Sequence, residues 1–195
     1  MQRYQWSRLN SQQVGAYTEY FVKMELTMYG FQVYSTEVDD RGIDFVARHE
    51  RGPFLQVQVK SLRSLGYVFM QKTKFELHEH VYLALGLLFE GKPPELFLVP
   101  STVWLQPNGV FVERNYEGLK SLPEWGLNIS ERNMQALVPY AFESTVGRLV
   151  RKQAANCHIP ADYVTFDETA AVLQRTNPEA PVPERAVGWV RREAA

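Results

Sequence analysis

Arg41-Gly-Ile-Asp44-Phe-Val-Ala-Arg48, a turn over His49-Glu-Arg-Gly-Pro53, then Phe54-Leu-Gln-Val-Gln58-Val-Lys60-Ser61: the reading of this stretch decides the fold. At period two it is a β-hairpin. Ile43, Phe45 and Ala47 share one side of the first strand, and Asp44, Val46 and Arg48 the other. The turn contains the Gly and Pro that reverse a chain. On the second strand Leu55, Val57 and Val59 form an apolar face, while Phe54, Gln56, Gln58 and Lys60 line the opposite one. Two glutamines and a lysine projecting from a Val-x-Val strand, with an aspartate on the neighbouring strand, suit either a solvated sheet face or a site built for polar chemistry.

Upstream, Asn10 or Ser11 has the side chain to cap a helix running to Tyr29, and Gly30 is a natural stop. Val14, Tyr17, Phe21, Met24 and Met28 recur at helical spacing and are expected to be its main buried stripe. A second stripe runs Gly15, Glu19, Val22, Leu26, which sets Glu19 in an apolar row. A carboxylate there needs a cation, a metal or a donor, unless that face is partly exposed. Phe31 to Val38 reads as a strand, so the order is helix, strand, strand, strand.

Downstream, Ser61 to Gly66 reads as a loop and 67–75 as a strand, with Val68, Met70, Lys72 and Lys74 on one side. Two more strands, 81–89 and 95–99, flank the turn Gly91-Lys-Pro-Pro94. The Leu- and Ala-rich 77–89 is also compatible with a helix. Residues 100–129, rich in Gly and Pro, read as an irregular connection. Ser130 is expected to cap a helix to Leu137, and Pro139 to start or kink another to about Gln153, with Phe142, Val146, Leu149 and Val150 on one face. Asp167 to Gln174 suits a short helix, 177–183 a stiff linker, and Trp189 a docking residue. The division expected is 1–157 as a domain and 158–195 as an extension or partner-binding arm.

Composition narrows the function classes. The chain has 195 residues, 45% apolar and 22% charged, which is globular rather than disordered. Its formal net charge of −1 means that any nucleic-acid binding must come from a local basic patch. Cys157 is the only cysteine, so no intramolecular disulfide forms, and a reducing compartment is expected. No signal-peptide core follows Met1, and no apolar run approaches the about 20 residues of a membrane span, so a cytoplasmic protein without a membrane partner is expected.

A helical Glu19, Asp44 after Gly-Ile on the second strand, and Gln58-Val59-Lys60 on the third resemble the PD-(D/E)xK nuclease superfamily. The direct match covers about residues 11–61, and the likeness is greatest to its resolvase-like and homing-endonuclease-like branches. The resemblance implies an α/β restriction-endonuclease-like core, a mixed β-sheet flanked by helices, with extra C-terminal helices. It also implies Mg²⁺ (Mn²⁺ as substitute), a DNA substrate and a homodimer whose two sites address two strands. Asp44, Gln58 and Glu19 become metal ligands, and Lys60 the catalytic cation. Ile43 stands where the family has proline, and Gln58 where it has an acid.

The chemistry of these residues agrees with that assignment. Phosphodiester hydrolysis uses a hard divalent cation that prefers oxygen ligands, and an ammonium two residues along the strand can stabilise charge growing on phosphate. Arg41, Gln56, Arg63, Tyr67, Lys72 and Lys74 are the candidate nucleic-acid contacts, against the alternative of a solvated strand face. The rival function is an inactive DNA-binding or interaction module that lost metal affinity through Gln58. A third is a subunit of a mobile-element or phage-defence complex, held by residues 158–195. His78 and His80 share a strand parity but lack a third zinc ligand, and Cys157-His158 is no catalytic dyad.

Overall fold

The computed structural model describes residues 3–35, 42–156, 163–165 and 189–191. The chain divides into two units, Met1–Ala154 and Ala155–Ala195.

The first unit begins with a 3-10 turn, Trp6–Arg8, and helix α1, Ser11–Met28. Asn10 caps α1 as expected and forms a capping box with Gln13: each side chain takes the other's backbone N–H at 2.9 Å. Gly30, at φ +84°, ends the helix in a conformation that suits glycine. The buried stripe is not the expected one. Val14, Thr18, Val22 and Leu26 are buried, whereas Met24 and Met28 are 57% and 82% exposed. The helix packs on the sheet along its smaller side chains, because Thr18 must sit against Gly86; a Cβ on that glycine would lie 2.5 Å from Thr18 Cγ2.

The strands then follow: β1 (Phe31–Ser35), β2 (Phe45–His49), β3 (Leu55–Leu62), β4 (Tyr67–Gln71), β5 (Val81–Leu87) and β6 (Glu95–Pro100). Five of them make a mixed sheet in the order β1-β2-β3-β5-β6. The β3–β5 pair is parallel and the others antiparallel. The hairpin register sets Phe45 against Val57 and Ala47 against Leu55, as the two-residue alternation requires. Strand β3 runs on to Leu62, past the expected start of a loop. Residues 81–87 are a strand and not a helix. All seven are buried, because both faces of β5 are covered and no alternation is needed.

Residues 100–129 depart most from expectation. They contain β7 (Phe111–Arg114) and β8 (Glu124–Asn128), which join β4 in a second, antiparallel sheet of order β4-β8-β7. Strand β4 stops at Gln71, so Lys72 and Lys74 lie in the turn that follows it. Short strands punctuated by Gly and Pro carry too little periodicity to be read from sequence. The expected helix from Ser130 to Leu137 is a 3-10 helix, Met134–Tyr140, with Asn133 preceding it. Helix α2, Phe142–Asn156, begins after Pro139.

Two packing layers result. On one face of the main sheet, Val22 and Leu26 of α1 and Phe142 and Val146 of α2 cover Phe45, Ala47, Leu55, Val57, Tyr82, Ala84 and Leu98. On the other, Leu83, Leu85, Leu87, Phe97 and Val99 meet Val68, Met70, Phe111 and Leu127 of the second sheet, with Trp104 between. The Trp104 indole N–H donates to the Gly126 carbonyl at 2.8 Å. This is a mixed sheet flanked by helices, the α/β architecture expected.

In the second unit, β9 (Tyr163–Thr165) pairs antiparallel with β10 (Trp189–Arg191). Asp167 to Gln174 and 177–183 lie outside the described residues, as does Cys157. No described helix is long and apolar enough to cross a membrane.

Candidate functional site

The polar face of the β2–β3 hairpin holds most of the predicted residues. Strand alternation sets Gln58 and Lys60 opposite the helix-covered Val57, in register with Leu83 and Leu85 of β5. The ladder steps at Asp44. Its N–H donates to the Val57 carbonyl at 3.0 Å, although Val57 is the register partner of Phe45. Its carboxylate accepts the Val59 N–H. Asp44 thus brackets the Gln58 backbone, in the manner of a bulge that re-aims a side chain.

Gln58 is 8% exposed, and its Oε1 is buried with no hydrogen-bond partner. An oxygen left so costs about 1–3 kcal/mol, and such groups in a folded protein call for an explanation. Gly42, at φ +74°, makes the room: a Cβ there would lie 3.0 Å from both Gln58 Nε2 and Lys74 Cβ. Lys74 is thereby brought beside Gln58 from the turn after β4, a proximity that sequence spacing does not reveal. Lys60 is half-buried and has no ion pair or side-chain hydrogen bond among the described residues.

Glu19 is placed differently. Its carboxylate is 2.6 Å from Lys23 Nζ, which also donates to Ser35 Oγ at 3.0 Å and stands 5.4 Å from the Phe45 ring centre. No hydrogen bond or ion pair joins it to Asp44, Gln58 or Lys60. The signal was in the sequence: Glu and Lys four apart on a helix meet on its surface. Asp44 and Gln58 are therefore brought together, with Lys60 one strand repeat away, while Glu19 is tied to Lys23. Among the described residues no three His, Cys, Asp or Glu side chains cluster as metal ligands; the His78 and His80 rings lie 5.2 Å apart, with His80 Nε2 3.6 Å from Glu79 Oε1.

No family model matches this chain, and no curated protein matches it. Solved structures are similar to it. One is Hjc, a Holliday junction resolvase from the archaeal hyperthermophile Archaeoglobus fulgidus, at 16% identity and a TM-score of 0.42, covering 66% of this chain and 98% of that one. Another is the bacterial homing endonuclease I-Ssp6803I, at 16% identity and a TM-score of 0.45, covering 75% of this chain and 96% of that one.

The predicted nucleic-acid contacts scatter. Gln56 is exposed on the strand that carries Gln58. Arg63 Nη1 donates to the Leu9 carbonyl at 2.8 Å, bracing the segment before α1. Lys72 is engaged by Glu113 and Asn115 and lies 4.0 Å from the Trp125 ring centre. Arg41 lies outside the described residues. Tyr67 donates to Glu124 Oε1 at 2.7 Å, and Tyr116 to the same oxygen at 2.9 Å. Burial, and then that hydrogen bond, raise the Tyr67 phenol well above its usual value. Its ring fills the space over Gly126, where a Cβ would be 2.0 Å from the hydroxyl.

Proposed function

We propose that this chain is a Mg²⁺-dependent endonuclease that hydrolyses DNA phosphodiester bonds. The observation that carries the reading is the buried, unpartnered Gln58 Oε1, next in sequence to the Val59 whose N–H the Asp44 carboxylate accepts, with the uncommitted Lys60 ammonium on the same strand. An anionic and a neutral oxygen suit Mg²⁺, which is commonly held by one or two carboxylates with waters and substrate phosphate completing its shell. Asp44 and Gln58 would hold the ion. When bound, it polarises a phosphoryl oxygen and makes bound water more acidic. Lys60 donates to the phosphoryl oxygens as their charge grows, and Lys74 and Gln56 position the strand at the rim. A homodimer would address two strands, with residues 158–195 as an arm for a partner protein.

Plasmid nicking in Mg²⁺ tests this with Asp44→Asn. The variant keeps an acceptor for the Val59 N–H, so the fold persists, and loss of cleavage is expected. Undiminished cleavage would sink the assignment.

A second reading, an inactive DNA-binding module, has its own observation: Glu19 is held by Lys23, and an amide stands in place of the second acid. Gln58→Glu separates the two. Metal affinity rises in either case, but in an active enzyme the added charge draws Lys60 into an ion pair and cleavage falls. In a relic, cleavage appears.

A further inference from the structure

The second sheet covers only part of its side of the main sheet. Residues of β5 and β6 pack against it, with Leu62 at the far end of β3, and no apolar side chain of β1 or β2 joins that layer. The part left open, on β1, β2 and the start of β3, runs into the site at Asp44 and Gln58. We propose that this open face is a platform for unpaired DNA bases, which leads a single strand toward that site. The proposal rests on the nuclease reading and names the form of DNA that reaches it.

Strand register builds the platform. Tyr34 stands opposite Val46 and Val46 opposite Gln56, while Gln32 stands opposite Arg48. Alternate positions of a strand share a face, so Phe54, just before β3, is followed at steps of about 7 Å by Gln56, Gln58 and Lys60.

Tyr34 and Phe54 carry the recognition. They are 47% and 49% exposed, whereas Phe31, Phe45, Tyr82 and Phe97 of the same sheet are buried. Their ring centres are 5.8 Å apart with the planes at 67°, an edge-to-face pair that spends one ring face and leaves about half of each side chain in water. The pair is held in place. The Tyr34 hydroxyl donates to Gln32 Oε1 at 2.9 Å, and Arg48, 5.0 Å from the Phe54 ring centre, donates from Nε to the Gly52 carbonyl at 3.0 Å. Every base has a π-face, so braced rings of this kind stack bases without regard to sequence.

Charge favours an anionic strand as the occupant. None of the three strands carries an acid, and Arg48 has no ion pair among the described residues. Lys60 and Lys74 follow at the Gln58 end. Cations that track a backbone beside rings that stack its bases are the combination used by sites for single strands. A duplex keeps its bases stacked on one another and offers them to no platform until they are turned out.

The test uses the full chain in EDTA, where binding is read whether or not the chain cuts DNA. Fluorescence anisotropy compares an oligothymidylate of about ten nucleotides with an abasic strand of equal length and with a duplex. The wild type is expected to bind the thymidylate about tenfold tighter than the abasic strand, which has the phosphates but no bases. Tyr34→Ala and Phe54→Ala each remove an exposed ring, so both variants should fold. Each is expected to weaken the thymidylate about tenfold and to leave the abasic strand and the duplex unchanged, and Phe54→Trp to keep the wild-type affinity. Ring-dependent binding without nicking in Mg²⁺ would support the platform and sink the nuclease reading alone. Equal affinity for the thymidylate and the abasic strand, or a thymidylate affinity that neither alanine variant lowers, would overturn the proposal.

Discussion

At the scale of single residues, Gln58 concentrates the question of purpose. Strand alternation places its side chain in a row with Leu83, where an apolar residue would pack without cost. Gln58→Leu should therefore leave stability unchanged or raise it; about 1 kcal/mol gained corresponds to roughly 2–4 °C in Tm for a chain of this size. The same variant should lose Mn²⁺ binding by calorimetry. A clear drop in Tm would instead make Gln58 a structural residue. Asp44 has a double duty, since its carboxylate also replaces a ladder acceptor for Val59. Asp44→Ala is thus expected to lower stability by about 1–3 kcal/mol where Asp44→Asn does not, a contrast that urea denaturation would show.

Secondary-structure elements meet at two close approaches. Helix α1 lies on the sheet through Thr18, whose hydroxyl donates to the Val14 carbonyl at 2.8 Å and whose methyl fills the space above Gly86. Thr18 is stiff at χ1 and fully buried, so Gly86→Ala should push α1 off the sheet. Overpacking of this kind costs about 1–3 kcal/mol, and a thermal melt within a degree of the wild type would show that the helix yields freely. In the second sheet, Tyr67 lies over Gly126 with its phenol on buried Glu124. Its folded pKa is raised above the usual 10.0, so the folded state holds that proton more tightly. The associated stability is complete below about pH 10 and is lost as pH rises above it toward the folded pKa. Tyr67→Phe should flatten that alkaline decline in denaturation midpoints; parallel curves for the two proteins would count against it.

For the whole molecule, a formal charge of −1 leaves nucleic-acid binding to local cations. If phosphate contacts are made at the hairpin, affinity falls with salt, each contact adding about 0.9 to the log–log slope. Lys60→Ala and Lys74→Ala should each shallow the slope by about that much. Lys72→Ala should leave it alone, because that ammonium is already held by Glu113 and Asn115. Filter binding across a salt series would show it, and an unchanged slope for Lys60 and Lys74 together would move the patch elsewhere.

Local chemistry alone determined the capped helix, the hairpin with its two-residue alternation, and the face of α2 that carries Phe142 and Val146; whether 81–87 is strand or helix stayed open until the structure showed β5. Those features follow from periodicity, turn residues and caps, which act over a few neighbouring residues. Tertiary structure decided what depends on contacts distant in sequence. Gly86 selected which stripe of α1 is buried, and β4 recruited β7 and β8, whose own patterns are too short to declare them strands. Gly42 admitted Lys74 to the side of Gln58. The Glu19–Lys23 pair is local, four apart on α1, but that Lys23 also reaches Ser35 and the Phe45 ring rests on where α1 settles against the sheet, and close packing at Thr18 sets that.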